Sequence, residues 1–136
     1  MSRQNVEAVR RAIEVFNRDG PEAATAFIDP EIEWHDLAEQ PDASVHYGRE
    51  GFIEAVEQFA GGFEDFRVFI DEIFDHGDQV IVYNRTVGRG RGSGGFVEMR
   101  YATVAQTEGR LVQRLTLYSD IDETRAAAER LAKERG

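Results

Sequence analysis

The sequence predicts an α+β domain, on two observations about where each periodicity lies. Segments with helical spacing occupy the first half, and four strand-like segments joined by short connections fill the second. Helices segregated from a run of antiparallel strands indicate α+β and not a doubly wound sheet. A length of 136 residues, 41% of them hydrophobic, suits one domain spanning 1–136 with a real core.

The elements follow in order. Val6, Val9, Ile13 and Phe16 recur at helical spacing, and Asp19-Gly20 stops the helix. Pro21 suits the first turn of a short second helix, Glu22 to Ile28, which Asp29-Pro30 ends. A short alternating strand runs from Ile32 to Asp36, and Leu37 to Gly48 reads as a loop able to form a rim or lid. A third helix, about Arg49 to Phe59, places Phe52, Ile53, Val56 and Phe59 on one face before Gly61-Gly62. The meander strands are Phe66–Phe74, Gln79–Val87, Phe96–Gln106 and Leu111–Ser119. Asp122 to Arg135 reads as a final exposed helix.

Composition excludes several classes. A formal net charge of −10 argues against nucleic acid and against an anionic membrane surface. No cysteine is present, which removes disulfides and thiolate chemistry. No apolar run approaches a membrane span and MSRQNVEAVRR lacks an apolar leader, so the expected location is cytoplasmic. Gly88, Gly90, Gly92, Gly94 and Gly95 precede a strand and not a helix, so they read as a flexible connection and not a phosphate loop. His35, His46 and His76 sit on separate segments without chelating spacing, and no metal is expected.

Glu31-Ile-Glu-Trp-His-Asp36 carries the chemistry. Ile32, Trp34 and Asp36 share one parity, so a carboxylate can point with two apolar side chains into a cavity and serve as a general base or acid. The competing reading is that Asp36 ends the strand and caps the next loop. A two-residue tip at Glu108-Gly109 sets Arg114 opposite Thr103, Thr116 opposite Tyr101 and Tyr118 opposite Met99. Tyr83, Arg85, Tyr101, Thr103, Arg114 and Tyr118 would then share an aromatic face with a few polar groups, a composition suited to a small-molecule pocket. Residues of opposite parity, such as Val82 and Leu115, would face outward and form a homodimer contact.

The Glu33-Trp-His-Asp36 strand end, the Tyr47-Gly-Arg-Glu-Gly51 helix entry, and Glu108-Gly-Arg-Leu-Val before Leu117-Tyr-Ser-Asp120 resemble the SnoaL-like branch of the nuclear transport factor 2-like superfamily. The resemblance covers nearly the whole chain. It implies a cone in which a curved antiparallel sheet and helices enclose a deep pocket, commonly in a homodimer. It places Asp36 where the ketosteroid isomerase pattern has its general base. That pattern's first-helix tyrosine falls at Ala12, and its strand aspartic acid near Tyr101 or Ala102. The two-aspartate pattern of the epoxide hydrolases is incomplete, with Leu117 at the last-strand position.

Two functions are therefore expected. The first is a cofactor-independent isomerase, cyclase or hydrolase with Asp36 as the base, assisted by His35. Trp34, Phe59, Phe63, Tyr83, Arg85, Tyr101, Thr103, Arg114 and Tyr118 would line its site. The alternative is a non-catalytic protein that binds a small apolar ligand, with Asp36 ion-paired to Arg114 or Arg85.

Overall fold

The computed structural model describes residues 2–36, 44–76, 79–108 and 111–119, and beyond them Asp122, Ala126 and Arg130. Those last three are helical and exposed; the rest of the predicted tail helix lies outside the described residues.

Helix α1 spans Ser2–Asp19 and buries Ala8 and Val9, with Val6, Ile13 and Phe16 packed against the same core. The chain leaves it through Gly20, whose φ of 92° lies in the left-handed region that suits glycine after a helix. Pro21 opens the short α2, Pro21–Ala24, which tightens into a 3-10 turn over Thr25–Phe27. Strand β1 is Ile28–His35, longer than expected, and buries Ile28, Ile32 and Trp34 by alternation. Strand β2, Val45–Tyr47, lies in the segment expected to be loop. Its outer residues Val45 and Tyr47 are exposed, so no apolar alternation marks it. Helix α3, Gly48–Ala60, buries Phe52, Ala55 and Val56. The meander is β3 Phe63–His76, β4 Gln79–Gly90, β5 Phe96–Glu108 and β6 Leu111–Tyr118.

The six strands form one curved, unclosed sheet in the order β2-β1-β6-β5-β4-β3. The meander is antiparallel as expected, but β1 joins β6 in parallel, so the sheet is mixed. Two register shifts in β3, at Glu64/Arg67 and Ile70/Glu72, bend that long strand. Asp65 takes the left-handed conformation at the first, φ 54°. Helix α3 packs on β1 and α1 on β3. Asn17 ties α1 to this sheet edge, donating to the Val68 carbonyl at 2.8 Å and accepting from the Val68 amide at 2.9 Å.

The β5–β6 register departs from expectation, and with it the face assignment. Glu108 pairs with Leu111, two residues beyond the predicted pairing, and a bulge between Gln106 and Thr107 adds a third. An odd total slip exchanges the faces of β6. Leu117 therefore lies opposite Thr103 and Leu115 opposite Ala105, while Arg114 pairs with Gln106 and Tyr118 with Ala102.

The expected outward contacts are corrected as well, Leu115 by this slip and Val82 by the β4–β5 pairing, which sets Val82 opposite Thr103. Val82 is 1% exposed in the main core, and Leu115 packs against that core. On the other face, Ile81, Tyr83, Ala102 and Val104 are also buried, with Phe74 and Tyr118 packed against them. The premise of a wholly open outer face does not hold, although Phe69, Phe96, Val45 and Tyr47 remain exposed on that face.

Candidate functional site

Between the helices and the concave sheet lies a cavity of about 120 Å³. Helix α1 contributes Val9, Ala12, Ile13 and Phe16, and α3 contributes Phe52, Val56 and Phe59. Trp34 closes one end from β1, its ring edge-on to Phe52 at 5.7 Å. The sheet floor is Phe66 and Val68 of β3, Val82 and Asn84 of β4, Tyr101, Thr103 and Ala105 of β5, and Val112, Leu115 and Leu117 of β6. No charged side chain lines the cavity among the described residues.

Its polar groups cluster at one place. Asn84 and Tyr101 face each other across β4 and β5, and Thr103 lies two residues further on the same face. The Tyr101 ring packs edge-on to Phe59 at 5.4 Å. Burial pushes its phenol well above the usual value, so the group stays protonated and neutral. Among the described residues its hydroxyl has no hydrogen-bond partner.

Asp36 lies behind Trp34 and outside the cavity lining. Its Oδ1 accepts from the Trp34 indole Nε1 at 2.9 Å. Its Oδ2 accepts from the Ser44 amide at 3.1 Å and lies 3.2 Å from His46 Nε2. The Asp36 amide in turn donates to the Ser44 carbonyl at 3.1 Å. Asp36 thus ties the end of β1 to the start of β2, with its partners His46 and Trp34 in place of the arginines expected. His46 is held by close packing: a Cβ on Gly51 of α3 would stand 3.1 Å from the His46 carbonyl carbon.

The remaining predicted residues divide by face. Trp34, Phe59, Tyr101 and Thr103 line the cavity; Tyr83, Arg85, Arg114, Tyr118 and His35 do not. Strand alternation turns His35 away from Trp34, and its Nε2 meets Glu33 Oε1 at 3.1 Å. Arg114 Nη2 reaches the other Glu33 oxygen at 3.4 Å, not Asp36. The hydrogen bond from His35, with Arg114 beside it, holds Glu33 below the usual carboxylate range against its own desolvation. Arg85 pairs with Asp71 at 3.4 Å and lies over the Phe69 ring at 5.1 Å. Tyr83 packs on Phe74 at 5.3 Å, and Phe63 packs beside Phe66 at the far end of the sheet. Asn84 was missed because both faces of β4 are apolar and buried, which leaves parity without a signal.

N-terminal helices packed on a curved, unclosed mixed sheet define a nuclear transport factor 2-like cone. The chain belongs to the SnoaL-like domain family, whose profile matches residues 9–115. Curated proteins offer no match. Solved structures share the fold. A nuclear transport factor 2-like protein from Burkholderia thailandensis E264 superposes with a TM-score of 0.73 at 25% identity, covering 90% of this chain and 95% of its own. A protein from Jannaschia sp. CCS1 assigned as a SnoaL-like polyketide cyclase gives 0.75 at 20% identity, covering 93% and 92%. A hypothetical protein with a ketosteroid isomerase-like fold from Catenulispora acidiphila DSM 44928, in complex with trimethylamine, gives 0.72 at 18% identity, covering 85% and 86%. Identities this low carry the fold and not the chemistry. No helix among the described residues is long and apolar enough to cross a membrane.

Proposed function

We propose that this SnoaL-like domain is a small-molecule pocket protein that holds a small, mostly apolar, uncharged compound, anchored by the Tyr101 hydroxyl. The observation that carries this reading is that hydroxyl: it belongs to a cavity-lining residue opposite Asn84 and has no hydrogen-bond partner among the described residues. A ligand oxygen accepting from Tyr101 would add a hydrogen bond worth about 0.5–1.5 kcal/mol net. Size narrows the ligand. The cavity of about 120 Å³ is near the roughly 150 Å³ apolar cavity that accepts benzene and well below a drug-sized pocket. A single ring fits; a fused polycycle does not without side-chain movement.

The geometry supports binding over proton transfer. A general base must come within about 3.2 Å of the proton it removes, directly or through one water. Asp36 is separated from the cavity by the Trp34 ring, and its oxygens already accept from Trp34 and Ser44 and meet His46. His35 lies on the opposite face. An isomerase, cyclase or hydrolase using Asp36 would need Trp34 to swing aside.

Trp34 is the single tryptophan of the chain and borders the cavity, so its emission reports occupancy. Titration with benzene and five- or six-membered ring compounds is expected to change that emission and raise Tm in step with ligand concentration. Neither response from any compound of this size overturns the reading.

A further inference from the structure

The cavity's polar corner holds more than one unused group, and together they describe the ligand's polar group. Asn84 is 4% exposed and its Nδ2 is committed twice, to Thr103 Oγ1 at 2.9 Å and to the Val82 carbonyl at 3.3 Å. A carbonyl oxygen only accepts, so the amide nitrogen and not its oxygen must face Val82, which fixes the orientation of the side chain. Asn84 Oδ1 then accepts no hydrogen bond from the described residues. Thr103 Oγ1 accepts from Asn84 and keeps its own proton to give. Tyr101, directly across from Asn84, is a neutral donor. The corner therefore presents one acceptor and two donors within two neighbouring strands, on an otherwise apolar surface with no charged lining residue.

We infer that the cavity selects a neutral ligand whose polar group both accepts and donates, a hydroxyl or a carboxamide on a small ring. This rests on the pocket reading above and adds the class of ligand to it. Such a group accepts from Tyr101 or Thr103 and donates to Asn84 Oδ1. A ketone or ether satisfies the hydroxyls but leaves Asn84 Oδ1 desolvated and unpaired. An ammonium or carboxylate enters a cavity with no counter-charge and is excluded by desolvation.

The test uses one ring with four substituents: cyclopentanol, cyclopentanone, cyclopentane and cyclopentylammonium, titrated by Trp34 emission and calorimetry. Cyclopentanol is expected to bind about tenfold more tightly than cyclopentanone, and cyclopentylammonium not at all. Asn84→Leu should erase the gap between alcohol and ketone. Tyr101→Phe should weaken both oxygen compounds about tenfold and leave cyclopentane unchanged. Equal binding of alcohol and ketone to the unaltered protein overturns the inference, as does a gap that survives Asn84→Leu. Should Asn84→Leu fail to fold, the ligand series in the unaltered protein decides alone. Cyclopentane binding as tightly as cyclopentanol leaves the pocket standing and removes the selectivity. No binding by any ring, cyclopentane included, removes the pocket reading and the inference with it.

Discussion

Ala12→Phe is expected to abolish binding of single-ring compounds while the protein stays folded. Ala12 sits on α1 with its side chain on the cavity wall, and a phenyl ring there would take up most of the roughly 120 Å³ space. The added ring enters existing void and makes new contacts with Phe16 and Phe59, so the stability change is expected to stay within about 1–3 kcal/mol in either direction. Circular dichroism melting checks the fold, and calorimetric titration with benzene checks the site. A folded variant that binds as before would place the ligand elsewhere.

Asp36→Ala is expected to destabilise the protein by about 3 kcal/mol, because it leaves the Trp34 indole N–H, the Ser44 amide and His46 without their shared acceptor. In a domain of this size that is a fall of roughly 10 °C in Tm. Asp36→Asn keeps one acceptor oxygen and should lose less. On the binding reading, both variants keep their affinity for cavity ligands, since Asp36 does not line the cavity. On the catalytic reading, Asp36→Asn would keep affinity and lose turnover by about two to four orders of magnitude. Melting curves and ligand titrations on the same variants separate a tie between strands from a base. Full stability in Asp36→Ala would contradict the structural role argued for it.

Much of the fold was legible in the sequence because each helix shows one apolar stripe and each long strand is bounded by turn residues. The Val9, Ile13, Phe16 stripe and the Ile32, Trp34 alternation both lead to the observed core. Strand β2 was hidden because two of its three residues are exposed at the sheet margin. The candidate site was legible only in part. Trp34 and Phe59 follow from local periodicity, and Tyr101 and Thr103 from strand parity. Arg114 and Tyr118 were placed on the wrong face because a bulge between Gln106 and Thr107 is invisible to hairpin counting, and one extra residue reverses every side chain beyond it. One signal pointed the right way: Leu115 and Leu117 are the aliphatic parity of β6, Arg114 and Thr116 the polar one. For β4, no parity signal exists, since Gln79 to Asn84 are buried on both faces.

The central claim is that an apolar, ligand-sized space exists between Trp34, Phe59 and Tyr101. Crystals pressurised with xenon test it most directly, because xenon enters dry apolar cavities and needs no knowledge of the natural ligand. A xenon atom in contact with the Trp34, Phe59 and Leu117 side chains, absent from Ala12→Phe crystals, is the predicted result. Side chains packed into that space with no xenon between them would contradict it.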